Sequence, residues 1–191
     1  MCGGLAGGIL AELTLLGKVC SNEKRRLELI DAALISDELL DEVINEIQSS
    51  NKPHKLAFWI SELSSRPKKL RERVGERLAV KDQLYQEDNR FFWRPSSAED
   101  PARMLPSKFE LKNPLRASIL SDCESDPHSL ALLNVASASG LLNLIFTQDE
   151  LPIAQHRIHE KVVRAALENP AMQTIGEIEQ AILTSFEDDL D

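Results

Sequence analysis

A run of cations between Arg66 and Lys81 has the residue types and spacing to bind an anion. Seven of the chain's 22 Lys and Arg residues fall there, although the formal net charge is -9. Lys68 and Arg71 stand at i and i+3, so on a helix their side chains project over the same turn and can converge on one phosphate. We therefore predict that Lys68 and Arg71 bind a phosphate-bearing headgroup.

The element that must position these cations is a helix opened by Pro67 in its first turn. Residues at i, i+4 and i+8 give it one apolar side that should face the core: Leu70, Val74 and Leu78. A secondary basic surface flanks that side and consists of Lys69, Arg73 and Arg77. Glu72 and Glu76 lie among the cations, so a solvated helix with internal ion pairs is the alternative.

After this helix the sequence predicts a β-hairpin, from Tyr85 through QEDN to Phe91, Phe92 and Trp93. Successive side chains alternate across a strand, so three consecutive aromatic residues cannot all face inward. We therefore expect at least one of them to be exposed, as a membrane anchor, or to cover an interface. Cations beside exposed aromatic residues suit an anionic phospholipid surface.

Composition indicates a mainly α-helical globule, predicted as one domain over residues 1–191 with an acidic tail at 186–191. Hydrophobic residues make up 42% and charged residues 28%, while aromatic residues and glycines are few. The net charge of -9 argues against broad nucleic-acid binding. The three cysteines form no CxxC pair, which favours a reducing compartment. No apolar run reaches the roughly 18 residues of a membrane span, so we expect any membrane contact to be peripheral.

The first helix, within residues 1–18 and ended by Gly17, is apolar on almost every side and should be buried. Four glycines among the first eight residues allow another backbone to pack closely. We expect that a segment upstream of this helix is missing. A second strongly apolar stretch, Ser129 to Phe146, is predicted as the central core helix around which the domain is built.

The remaining predicted elements are short and separated by polar or proline-containing breaks. They are a small hairpin (18–21 with 26–31), a helix at 38–48 capped by Ser36 or Asp37, a helix at 56–63 with Trp59 in the core, a proline-rich loop at 95–106, a helix at 107–121 broken or begun at Pro114, and helices at 151–168 and 176–187.

No pattern in the chain predicts catalysis, a metal or a cofactor. His156 and His159 stand at i, i+3, but the HExxH order is absent and no third ligand is evident. The sequence contains no GxGxxG, GxxxxGK[ST] or GxSxG. We therefore assign no catalytic residues.

The ordered series GLAGGILAELTLLGKV, LLDEVINEI, FWISEL, LRERVGERL and DPHSLALLNVASASGLL resembles the Golgi phosphoprotein 3 family over nearly the whole chain. The resemblance implies a single, mainly helical domain with small β-hairpins. Eukaryotic members are peripheral membrane adaptors, not enzymes. They bind phosphatidylinositol 4-phosphate on the cytosolic face of the Golgi and retain glycosyltransferases by holding the enzymes' cytoplasmic tails.

The same resemblance assigns the family's two helix arginines to Lys68 and Arg71, and its apolar hairpin tip to Phe91, Phe92 and Trp93. Lys68 keeps the charge but loses the bidentate fork of an arginine. Ala6 occupies the position of an early family arginine. The family's lipid-binding tryptophan, first helix and first strand would precede Met1. These differences weaken the match to a specific 4-phosphate pocket and leave general attraction to an anionic bilayer.

Two other functions fit parts of the pattern. A basic helix followed by a hairpin also resembles the recognition helix and wing of a winged-helix DNA-binding module, although Glu72 and Glu76 would oppose phosphates. A degenerate family member could act through protein–protein contacts alone. Apart from these alternatives, the family resemblance implies that Phe91, Phe92 and Trp93 of the hairpin also mediate self-association, as a homo-oligomer.

Overall fold

The fold is mainly α-helical, as the sequence predicts. A computed structural model describes residues 2–65, 67–80, 84–87, 90–93, 108–121 and 124–187. The helices within these ranges are α1 Cys2–Leu15, α2 Glu38–Ser49, α3 Leu56–Ser64, α4 Pro67–Val80, α5 Lys108–Leu120, α6 Pro127–Ala138, α7 Leu151–Ala166 and α8 Pro170–Glu187. The strands are β1 Val19–Ser21, β2 Arg26–Leu29, β3 His54–Lys55, β4 Leu84–Glu87 and β5 Arg90–Trp93.

Two small antiparallel sheets accompany the helices. In the first, β2 lies between β1 and β3, with Val19 opposite Leu29 and Arg26 opposite Lys55. The predicted hairpin after α1 is therefore confirmed, and β3 is an addition to it that the sequence did not indicate. The second sheet pairs β4 with β5 and sets Tyr85 opposite Phe92.

The core is built around α1 and α8. Helix α8 packs against α1, α3, α6 and α7, and α1 also packs against α3, α4 and α6. Residues of α8 that follow the helical repeat are almost completely inaccessible to solvent: Met172, Ile175, Ile178 and Ile182. The burial predicted for the first helix is confirmed on the side that faces the core, where Ala6, Leu10 and Leu13 are each 0% exposed. On its other side Gly8 and Leu15 are only half-buried.

Local signals explain where several helices begin and end. Gly17 ends α1 with a positive φ of 70°, which suits a residue without a Cβ. The Asp37 carboxylate accepts a hydrogen bond from the backbone N–H of Leu40 and caps α2. The predicted inward face of α2 is buried throughout: Leu39, Leu40, Val43, Ile44 and Ile47. Trp59 on α3 is also in the core, as predicted.

Three boundaries differ from the sequence prediction. The helix predicted over 129–146 is two elements, because α6 ends at Ala138, Gly140 adopts a φ of 68°, and a 3-10 turn follows at Leu142–Leu144. It is also not buried on all sides, since Leu132 is 54% exposed. Helix α5 runs through Pro114 without a break, and α8 begins at Pro170. The predicted loop at 95–106 lies outside the described residues.

Candidate functional site

Helix α4 carries the predicted headgroup-binding residues on a surface that the core fixes in place. Leu70 is buried and Val74 packs partly buried against the core, so the predicted inward side of α4 is confirmed at these two residues. Leu78, the third predicted residue, is only half-buried and lines an open groove instead. That orientation leaves the Arg71 side chain exposed to solvent. The side chains of Lys68 and Lys69 lie outside the described part of the structure.

The three described arginines of α4 have different surroundings. Arg73 pairs with the Glu42 carboxylate, and Arg77 pairs with the Asp37 carboxylate that also caps α2. Among the residues the structure describes, Arg71 forms no ion pair with an acidic side chain. The charge of Arg71 is therefore available to a ligand, whereas Arg73 and Arg77 are partly neutralised by α2.

An apolar groove lies beside Arg71, between α1, α4 and α6, with a volume of about 990 Å³. Helix α1 contributes Gly4, Leu5, Gly8, Ile9, Ala11, Glu12 and Leu15, helix α4 contributes Arg71, Val74, Gly75, Arg77 and Leu78, and helix α6 contributes His128, Ala131, Leu132, Val135 and Ala136. Further lining residues are Leu39, Leu40, Ser139 and Leu141. We call this feature the α1–α4–α6 groove.

The α6 wall is held by its own cap. The Asp126 carboxylate accepts a hydrogen bond from the backbone N–H of Ser129 at 2.9 Å. Hydrogen bonds from the Ser129 hydroxyl and backbone hold the pKa of the Asp126 carboxyl below its ordinary value. Asp126 is therefore ionised at neutral pH, at the helix end where a negative charge is favourable.

The β4–β5 hairpin follows α4 along the chain, and its strand pairing confirms the predicted hairpin. The backbone at Phe91, Phe92 and Trp93 belongs to β5. Their side chains lie outside what the structure describes, so their role in anchoring or self-association stays a prediction.

A second cavity of about 910 Å³ lies between α2 and α3, and Arg73 is one of its lining residues. Carboxylates dominate its rim: Glu38, Asp41, Glu42, Glu46 and Glu62. Phe58 also lines this cavity and is 43% exposed. The sequence patterns indicated neither the α1–α4–α6 groove nor the cavity between α2 and α3. The signal for the groove was the all-round apolar character of α1, with its glycines at positions 4 and 8.

The weak metal pattern does not assemble a ligand set in the described part of the chain. His156 Nε2 lies 3.6 Å from a Glu160 carboxylate oxygen, and both side chains are largely solvated. Within the described residues, no group of three or more His, Cys, Asp and Glu side chains is arranged to hold a metal ion. The free thiol of Cys20 lies 3.6 Å from the Thr174 hydroxyl, in a structural contact between β1 and α8.

No helix of the described residues is both long enough and apolar enough to cross a membrane. No curated protein matches the sequence closely enough to be counted as a relative. A family model described as Golgi phosphoprotein 3 (GPP34) matches residues 2–178, which include every described helix at least in part. Membership suggests an adaptor of the Golgi phosphoprotein type. The chain belongs to the Golgi phosphoprotein 3 family.

Proposed function

We propose that this chain is a peripheral membrane adaptor that binds anionic phospholipid through the exposed face of α4. The observation that carries the proposal is the state of Arg71, exposed and without an ion pair among the described residues, on a helix whose other described arginines are paired. Arg71 and Lys68 would contact the phosphate. Each cation held near an anionic surface contributes about 1 kcal/mol to binding.

The family supplies the finer expectations. By resemblance the lipid is phosphatidylinositol 4-phosphate, the location is the cytosolic face of the Golgi, and the clients are cytoplasmic tails of glycosyltransferases. The protein would act by binding and not by catalysis. Ala6 is fully buried, so the position that resembles the family's early arginine contributes no charge to a headgroup pocket. We therefore expect general attraction to anionic lipid to exceed preference for one phosphoinositide.

The hairpin would add an apolar anchor to this electrostatic attraction. Strand β4 packs against α4 and pairs with β5, which carries Phe91, Phe92 and Trp93. Insertion of the hairpin would therefore occur close to the headgroup contact. Arg73 and Arg77 would contribute less, because Glu42 and Asp37 already neutralise part of their charge. Homo-oligomerisation through the hairpin is the other use of the same residues.

Flotation with three kinds of vesicle tests the proposal: neutral, generally anionic, and containing phosphatidylinositol 4-phosphate. We expect binding to both anionic kinds, weakened by salt because the contacts are exposed. The double variant Lys68→Glu, Arg71→Glu should lose this binding. Arg164→Glu, an exposed charge reversal on α7, is the matched control and should float like the parent. Equal flotation of the double variant and the parent would show that the assigned site is wrong.

A second candidate function rests on the order of α4 and the β4–β5 hairpin, which is that of a recognition helix and its wing. The ion pairs of Arg73 and Arg77 with α2 disfavour it, because they occupy cations that would have to contact phosphates. A mobility shift with duplex DNA at low salt separates the two functions. If the protein bound neither DNA nor any vesicle, it would be a protein-interaction module only.

A further inference from the structure

We propose that the α1–α4–α6 groove holds one acyl chain of the anionic lipid whose phosphate is bound at Arg71. This inference rests on the proposed function and extends it, from attraction at a membrane surface to binding of a single lipid molecule. Arg71 belongs both to the predicted headgroup site and to the groove lining, so the two regions are continuous.

The size and chemistry of the groove fit a hydrocarbon chain. Its volume of about 990 Å³ lies within the usual range of roughly 300 to 1,000 Å³ for sites that bury a small ligand. Most lining residues are Leu, Ile, Val, Ala or Gly. Hydrocarbon gains free energy when it leaves water for such a surface.

The floor of the groove has local room for a chain where α1 carries Gly8, although Leu5, Ile9 and Leu15 of the same helix also line the groove. A Cβ built on Gly8 would meet no atom within 4 Å. Gly4 differs, because its Cβ would meet the Ser139 side chain, with Ser139 Cβ 3.1 Å away. The open space is therefore local to Gly8, and a larger residue at that position would fill it.

The walls favour hydrocarbon over an extended peptide. All three walls are helices, whose backbone donors and acceptors are satisfied within each helix away from its ends. The Ser139 hydroxyl also donates its hydrogen bond, to the carbonyl of Val135 at 2.7 Å. An extended peptide would lose water and gain few backbone hydrogen bonds here, whereas an acyl chain requires none.

Charge complementarity identifies the headgroup as anionic. Arg71 and Arg77 both line the groove, and Arg77 is paired with Asp37. Glu12 is the single acidic residue among the lining residues that the structure describes. Arg71 therefore offers a positive charge that no described acidic side chain pairs with, beside an apolar floor, which suits a molecule with a negative head and a hydrocarbon tail.

Calorimetric titration with three water-soluble probes tests this site. The probes are oleoyl lysophosphatidic acid below its micelle concentration, glycerol 3-phosphate with the headgroup but no chain, and oleoyl lysophosphatidylcholine with the chain but no net charge. We expect lysophosphatidic acid to bind at least about tenfold tighter than glycerol 3-phosphate, because burial of two methylene groups is sufficient for that factor. It should also bind tighter than lysophosphatidylcholine, because the choline cation cancels the net negative charge that Arg71 would attract.

Two variants and their controls locate the chain and the headgroup. Gly8→Leu fills the floor of the groove and should abolish binding of lysophosphatidic acid without lowering the melting temperature. Gln180→Leu, on the exposed surface of α8, is its control and should leave the binding of lysophosphatidic acid unchanged. Arg71→Glu should also abolish this binding, and Arg164→Glu should leave it unchanged. Undiminished binding to Gly8→Leu would place the chain elsewhere and overturn the inference.

Flotation in parallel separates this inference from the proposed function. If the parent floats with anionic vesicles but binds lysophosphatidic acid no tighter than glycerol 3-phosphate, the groove inference fails and membrane attraction stands. If it does neither, both fail. Native mass spectrometry tests whether a second copy of the chain or a copurifying peptide occupies the groove. If either species were present in the parent and absent from Gly8→Leu, protein would fill the groove and the inference would be overturned.

Discussion

Gly7 of α1 lies against Ile182 of α8 with no room for a side chain between them. A Cβ built on Gly7 would overlap Cδ1 of Ile182 and lie 3.1 Å from its Cγ1. Ile182 is 0% exposed and surrounded by core, so it cannot move aside freely. The close packing of the two central helices therefore depends on a glycine at position 7.

Alanine at two adjacent positions of α1 should consequently have opposite effects. Gly7→Ala should lower the free energy of unfolding by about 1–3 kcal/mol, the usual cost of overpacking a core. Gly8→Ala should raise it by roughly 0.5–1 kcal/mol, because the position is open and alanine favours a helix. Urea unfolding of both variants checks this, and a stable Gly7→Ala would mean that α1 and α8 are further apart than described.

The Thr174 hydroxyl joins α8 to β1 inside the core. It accepts a hydrogen bond from the backbone N–H of Ser21 at 3.0 Å, and Thr174 is 0% exposed. Thr174→Val keeps the shape but leaves that N–H without its partner, which should cost about 1–3 kcal/mol in urea unfolding. Thr184→Val, on the exposed side of the same helix, is the control and should change stability little. Equal effects would argue against the Ser21 contact.

Glu179 on α8 gives stability a dependence on pH. Desolvation raises the pKa of its carboxyl above the ordinary value, and the charge of His159 partly opposes this. The protonated form is therefore favoured by folding, so this group supports stability below its unfolded pKa and loses that effect as pH rises through its folded pKa. Glu179→Gln should melt above the parent at pH 7, and the difference should shrink below about pH 4. A difference independent of pH would exclude the carboxyl as its source.

Tryptophan fluorescence can report on the hairpin, because the chain has two tryptophans and Trp59 is buried. The Trp59 indole N–H has no hydrogen-bond partner among the described residues, so Trp59→Phe removes an unsatisfied donor and should be tolerated. In that variant Trp93 is the remaining fluorophore. Its emission should shift to the blue with anionic vesicles if it enters the interface. Trp93→Phe is the control, and an unshifted spectrum for Trp59→Phe with bound vesicles would exclude Trp93 as the anchor.

Hydrophobic periodicity predicted the features of this fold that depend on the residues of a single helix or strand. The inward residues of α2 and the cap at Asp37 follow from local spacing and local hydrogen bonding. The length of α6 could not be predicted from periodicity, because apolar residues continue past Gly140. The helix ends before that glycine, whose backbone is left-handed. The continuity of α5 through Pro114 was likewise hidden, since a proline disfavours a helix locally but neighbouring elements can retain it.

The candidate site was predicted only in part. Arg71 was predicted as a headgroup-binding residue from the spacing of the cations, and the structure describes its side chain as exposed. The pairing of Arg73 with Glu42 does not, because it joins residues 31 positions apart on different helices. The groove is also a tertiary feature: α1 is apolar all round, so its sequence did not indicate which side the core leaves uncovered.

The residue found at position 8 in natural variants would show whether the groove is in use. A glycine in the middle of a helix costs roughly 0.5–1 kcal/mol relative to alanine, and here an added Cβ would meet no atom within 4 Å. In an unused groove, drift at position 8 would tend toward alanine or leucine, since these substitutions are stabilising. Purifying selection for a small residue at position 8 would therefore indicate that the groove binds a ligand. If the position varied freely, the groove would have lost that ligand.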